Sequence, residues 1–151
     1  MKNFVKIKLL IVIIWSGSSF SQKMNCQYNC QRIDNGSIEL IVTPTKKPTK
    51  YNLQKAQKDA IMAVLYTTIS SANCQSQPPL LRNADEKRTF NKYKRKFLSK
   101  RGEWKLYVSN NEDLNSNHNA QTNGFKVTVM KASLRKHLEE KEIIKPLNTG
   151  F

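Results

Sequence analysis

Apolar and polar residues change their spacing several times along this chain, and each change marks an element. Over Ser37–Thr43, Ile38, Leu40 and Val42 alternate with Glu39, Ile41 and Thr43, the period of two expected of a strand with one buried face. Asp34-Asn35-Gly36 just before it predicts a turn, because Asn and Gly accept positive φ. Pro44 and Pro48 bracket a loop. From Leu53 to Ser70 the spacing becomes helical. Leu53, Ala56, Ala60, Ile61, Val64 and Thr68 fall on one side, Lys55 and Lys58 lie opposite, and Asn52 is placed to cap. The alanines allow close approach to a sheet. Met62 and Tyr66 lie away from that face and are expected to be partly exposed. Cys74–Pro79 reads as a breaker, closed by Pro78-Pro79.

A second helix is predicted from a cap at Asn83 or Asp85 to Arg101, with Gly102 as its stop. Phe90, Tyr93, Phe97 and Leu98 form its narrow apolar stripe. Trp104, Leu106 and Val108 then alternate with Lys105 and Tyr107, a predicted second strand, and Phe125, Val127 and Val129 mark a third. These two should pair antiparallel, with their apolar residues on one face, across the Asn-rich connection Ser109–Gly124. Ser133 is placed to cap a third helix, with Leu134 and Leu138 inward, Arg135–Glu139 and Lys136–Glu140 paired on its surface, and Pro146 as its stop. No internal repeat occurs. The predicted fold is α+β: a three-stranded, mainly antiparallel sheet with two or three helices packed on one face. It occupies residues 37–151, after a polar segment 22–36 whose first part, 22–32, lies across the surface.

The first 21 residues read differently. Lys2, Lys6 and Lys8 precede the apolar run Leu9–Trp15, and Ser19-Phe20-Ser21 places small residues one apart. This is the order of a cleavable export signal, with cleavage expected after Ser21. Seven apolar residues make a helix of about 10 Å, against a hydrocarbon core of about 30 Å, so the run is too short to anchor the chain. Lys23, Met24 and Asn25 before Cys26 are not a lipobox. The chain is therefore expected to be exported, periplasmic or secreted.

Export changes the reading of the three cysteines, Cys26, Cys30 and Cys74. In an oxidising compartment, three cysteines predict one disulfide and one remaining thiol. Cys26–Cys30 fits a helical turn but not an extended strand. Cys26–Cys74 or Cys30–Cys74 would tie the N-terminal segment to the end of a helix. A zinc site lacks a fourth ligand nearby, and the spacing is not the Cys-x-x-Cys of a redox pair.

The 151 residues carry 26 Lys+Arg against 11 Asp+Glu, a formal charge of +15. Lysine dominates the excess, so part of it reflects chain-wide bias. One stretch is denser than the rest: Lys87, Arg88, Lys92, Lys94, Arg95, Lys96, Lys100 and Arg101 fall within residues 87–101, without an acid. With Tyr93 and Phe97 between them, these cations suit an anionic glycan or lipid headgroups. The alternative is a solvated helix face whose aromatics pack inward. Nucleic acid is an improbable partner for an exported chain.

Catalytic chemistry has little support. No nucleophile elbow, P-loop, HExxH or EF-hand is present. His118 falls in the Asn-rich connection, and His137 reads as a surface or half-buried helix residue. Asp85-Glu86 and Glu139-Glu140 are adjacent pairs, pointing about 100° apart on a helix, and suit capping and surface charge better than an acid/base dyad. No catalytic residue, metal site or cofactor is expected.

The Ser-Phe-Ser-Gln at 19–22 and the Lys-, Asn- and Ile-rich composition resemble exported proteins of AT-rich Gram-negative bacteria. So does the ending Leu134-Arg135-Lys136-His137-Leu138-Glu139, then Ile143-Ile144-Lys145. The element order, with Ala56-Gln57-Lys58-Asp59-Ala60-Ile61 opening the first helix, loosely resembles the lipoprotein-20 and flagellar-assembly-T N-terminal group of small envelope modules. That resemblance covers about half of the chain after the signal and implies a class of role: a non-catalytic exported module that binds another envelope protein or serves in an envelope assembly. Adsorption to anionic envelope polymers or lipid headgroups through residues 87–101 is the alternative.

Overall fold

Asn35 and Gly36 both adopt positive φ, 42° and 79°, and this two-residue turn reverses the chain between strands β1 (Cys26–Asp34) and β2 (Ser37–Pro44). The computed structural model describes residues 26–45, 51–114 and 124–147; the expected export signal and His118 lie outside them. β1 and β2 pair antiparallel from Asp34↔Ser37 to Cys26↔Pro44, with a bulge between Cys30 and Arg32. Residues 26–34 are thus a strand and not a polar segment laid across the surface. Their inward positions are Cys26, Tyr28 and Cys30, alternating with exposed Gln27 and Asn29, and no aliphatic residue marks that period.

Helix α1 (Leu53–Tyr66) follows, capped by Asn52, whose Oδ1 accepts the Lys55 N–H at 3.0 Å. Ala56, Ala60 and Val64 are buried as their spacing predicts, but so are Met62, Ala63 and Leu65. Met62 was expected to be partly exposed. It is buried because α1 is covered on more than its sheet side: the N–H groups of Leu80 and Leu81 donate to the Val64 and Leu65 carbonyls, and Phe90 packs edge-on against Tyr66. The helix ends at Tyr66, short of Ser70. The β-branched run Thr67-Thr68-Ile69 turns extended, and β3 (Ile69–Ser71) pairs with β4 (Cys74–Gln77) as a two-stranded ribbon. The expected breaker therefore begins as a strand.

Helix α2 (Ala84–Phe97) opens on a capping box between Asn83 and Glu86 and stops four residues before Arg101. A Cβ on Gly102 would lie 1.9 Å from the Phe97 carbonyl oxygen, so the chain folds back against the helix end at a residue without a side chain. Glu103–Tyr107 then forms a 3₁₀ turn, where a strand was expected. Trp104 and Tyr107, three apart, are buried, and Leu106 is 66% exposed. Trp104 and Leu106 therefore do not share a sheet face with Val127.

Strand β5 (Val108–Asp113) starts later than predicted and takes up residues assigned to the connection. It pairs antiparallel with β6 (Phe125–Val129). β6 also pairs with β2, giving a main sheet of order β1-β2-β6-β5. The sheet has four strands where three were expected, because β1 joins its edge. Helix α3 (Lys131–Glu140) has Met130 at its N-cap with no side-chain cap, so Ser133 sits inside the first turn. It ends well before Pro146. Ile143 and Ile144 tuck under it, their N–H groups on the Leu138 carbonyl.

The core lies between the inner sheet face, carrying Ile38, Leu40, Val42, Phe125, Val127 and Val129, and the helices. Cys30 and Cys74 form a disulfide that ties β1 to β4. Among the described residues no helix is long and apolar enough to cross a membrane.

Candidate functional site

Two phenylalanines set the rotation of α2. Phe90 and Phe97 are fully buried, their rings 5.7 Å apart, and Tyr93 extends the stripe, half-buried. The opposite side must then face water. Arg88, Lys92, Arg95 and Lys96 are all exposed there, and Lys100 and Arg101 follow in the turn beyond the helix, also exposed. Lys87 and Lys94 flank the buried stripe and are half-buried. Lys94 Nζ sits 5.9 Å over the Tyr66 ring, and burial pushes its pKa below the ordinary lysine value. The eight cations read from the sequence thus divide into six on an open surface and two in packing positions.

Among the described residues, Arg88 is the only one of these six in an ion pair, with Asp85 at 3.2 Å. Lys94, Arg95 and Lys96 fall in the last turn of α2, where cations oppose the negative end of the helix dipole. Part of the cluster therefore has a structural reason. Lys92, Lys100 and Arg101 do not share it.

At the C-terminal end of α2 the fold builds a polar cluster that sequence reading missed. The Tyr93 hydroxyl donates to Glu103 Oε2 at 2.6 Å. His137 Nε2 from α3 lies 3.0 Å from that hydroxyl and 3.1 Å from the carboxylate oxygen. The imidazole packs against the Phe97 and Tyr107 rings and is only 8% exposed, which corrects the surface or half-buried reading. Burial pushes the His137 pKa below its ordinary value, with the Glu103 charge opposing. The Tyr93 hydrogen bond chiefly holds Glu103 below the usual carboxylate range. One signal was available: His137 is three residues after Leu134 and adjacent to Leu138, on the inward edge of α3. Tyr93 and Glu103 have no pattern that points to it. The three groups satisfy one another and lock α3 to the corner between α2 and the 3₁₀ turn.

A second cluster surrounds the remaining thiol. Cys26 Sγ lies 3.3 Å from the Tyr51 hydroxyl and 3.4 Å from Asp59 Oδ2, and Tyr51 donates to the same oxygen at 2.9 Å. Burial pushes the Cys26 pKa up, which keeps it a thiol and a weak nucleophile. Among the described residues no group of three or more His, Cys, Asp and Glu side chains is arranged to hold a metal ion. The chain matches no family model, and no curated protein or solved structure is significantly similar to it.

Proposed function

We propose that this chain is an exported, disulfide-stapled module that adsorbs to an anionic component of the bacterial envelope, a polymer or a layer of lipid headgroups, through the outward face of α2. The supporting observation is the burial of Phe90 and Phe97, which turns Arg88, Lys92, Arg95 and Lys96 outward in one patch, continued by Lys100 and Arg101. A disulfide between Cys30 and Cys74 suits the oxidising compartment to which the N-terminal signal would send the chain.

Each cation that reaches an anionic membrane surface contributes about 1 kcal/mol at physiological ionic strength. Reversing Lys92, Arg95 and Lys96 to Glu should therefore weaken binding to anionic vesicles by on the order of a hundredfold or more. It should also remove most of the salt dependence while leaving the circular dichroism spectrum unchanged. Vesicle binding that survives the triple reversal, or that ignores salt from low to high ionic strength, would overturn the adsorption reading.

A second reading, docking to another envelope protein, is favoured by Leu106, which stands 66% exposed on the 3₁₀ turn. A protein partner retained from envelope extract at high salt, and lost on Leu106→Ser, would select it.

A further inference from the structure

Away from α2, a cavity of about 230 Å³ opens between the β1–β2 hairpin, residues 77–82 and the start of α3. Its apolar wall is made by Ile33, Ile38, Pro78, Pro79, Leu80 and Leu147. Three large apolar side chains are exposed among the described residues, and two of them, Ile33 at 39% and Leu147 at 68%, lie at this one cavity. Exposed apolar side chains gathered at a concavity mark a binding site more often than scattered ones do. A second cavity of about 210 Å³ adjoins it, sharing Leu80, Arg82, Arg135 and Leu147.

The charged groups lining the cavity are all cations, Arg82, Lys131 and Arg135, beside the neutral Ser37 and Gln77. Lys131 Nζ is fixed by neutral acceptors, the Gln77 side-chain oxygen at 3.0 Å and the Pro78 carbonyl at 3.1 Å. Among the described residues neither Lys131 nor the Arg82 guanidinium is in an ion pair, whereas Arg135 meets Glu139 at 2.8 Å. Glu86, on the adjoining cavity, has its carboxylate on the backbone N–H groups of Arg82 and Asn83 at the α2 cap. Burial chiefly pushes the Lys131 pKa down, and the neighbouring Arg82 and Arg135 charges add to it.

We infer that this cavity binds a single-chain amphiphile with one anionic head, the head on Lys131 and Arg82 and the alkyl chain along Ile33, Pro79 and Leu147. The volume is below the ~300–1,000 Å³ usual for drug-sized ligands, which suits a short alkyl chain and not a two-chain lipid. The site is separate from the α2 face, so the two can be tested apart.

The test is calorimetric titration of the full chain with decanoate below its micelle concentration, beside decyl phosphate, decan-1-ol and decyltrimethylammonium. Decanoate should bind saturably and about tenfold or more tighter than the alcohol, since a charge-assisted hydrogen bond is lost in the alcohol; the ammonium should not bind. Tighter decyl phosphate would identify a phosphate head as the preferred source of the charge, and tighter decanoate a fatty acid. Arg82→Gln, at an exposed residue whose loss leaves the Lys131 hydrogen bonds intact, should lower anion affinity about tenfold without changing alcohol binding. Leu147→Ser should weaken both. The reversal of Lys92, Arg95 and Lys96 should leave decanoate binding unchanged. Equal affinity for the anionic and cationic amphiphiles would overturn the inference. So would decanoate binding that survives Arg82→Gln and Leu147→Ser but is lost with the α2 charges.

Discussion

His137 Nε2 lies 3.1 Å from Glu103 Oε2, so the imidazole of α3 closes on the carboxylate that the Tyr93 hydroxyl already holds. The pH dependence of stability follows from this contact. The folded His137 pKa is below the ordinary value of 6.5, so on acidification the unfolded chain takes up that proton first. Stability should hold at neutral pH and fall as the pH drops through about 6.5 and on through the lower folded value. Glu103, held below its ordinary 4.5, adds a second loss in more acid solution. Urea unfolding as a function of pH checks both. His137→Gln should remove the first loss, and Glu103→Gln, which takes away a charge that favours the imidazolium, should deepen it. Stability that rises between neutral pH and pH ~5.5 would refute the assignment.

Cys30 and Cys74 have Cα atoms 5.9 Å apart and close a separation of 44 residues. Replacing both by Ala should cost about 2–4 kcal/mol, largely by freeing the unfolded chain. Thiol titration under denaturing, non-reducing conditions should return one thiol per chain, Cys26. In the folded protein that thiol should react more slowly than in urea, because burial and its place beside Asp59 disfavour the thiolate.

Ala60 is fully buried where α1 meets the sheet, and Gln54 on the same helix is exposed. Ala60→Leu should overpack the contact and cost about 1–3 kcal/mol, while Gln54→Leu should change stability by no more than about 0.5 kcal/mol. On α2, Phe97→Ala should cost about 3–5 kcal/mol. The single change Lys92→Glu, on the exposed side and outside the last turn, should leave stability within about 0.5 kcal/mol. Chemical denaturation of the four variants separates the buried faces from the open ones; equal costs within either pair would mean that the helix is not docked as described.

Gly102 has φ −72°, a value any residue adopts, so its requirement is steric. An added Cβ would meet the Phe97 carbonyl oxygen at 1.9 Å and the Ser99 nitrogen at 2.9 Å, both backbone atoms. Gly102→Ala should therefore destabilise by about 1–3 kcal/mol and loosen the end of α2, read as faster hydrogen exchange at Phe97 and Leu98. Unchanged exchange would show that the turn has room.

Local pattern was enough wherever one residue set decided the outcome. Asn35-Gly36 specified its turn, and Ile38, Leu40 and Val42 specified β2. Asn52 specified a cap, Phe90 and Phe97 the buried side of α2, and Phe125, Val127 and Val129 specified β6. In each case the backbone preference or the apolar period is complete within a few neighbours. The outward placement of Arg88, Lys92, Arg95 and Lys96 follows from the same stripe.

Tertiary structure decided the rest. Residues 26–30 alternate inward and outward with no aliphatic residue on the inward side, and the one aliphatic residue of β1, Ile33, is exposed, so the strand is set by pairing with β2. Trp104-Lys105-Leu106-Tyr107-Val108 alternates as a strand would, yet the return of the chain at Gly102 puts Trp104 into the core and forces a 3₁₀ turn. Met62 is buried on a helix that Leu80 and Leu81 join by hydrogen bonds to Val64 and Leu65 and that Phe90 of α2 meets at Tyr66, residues at some distance along the chain. Cys74 pairs with Cys30, not Cys26, because β1 turns Cys30 toward the β3–β4 ribbon while Cys26 meets Tyr51 and Asp59. Tyr93, Glu103 and His137 meet across three elements, and the amphiphile cavity joins Ile33, Arg82, Lys131 and Leu147 from four parts of the chain. Proximity of that kind is a property of packing, and no spacing in the sequence encodes it.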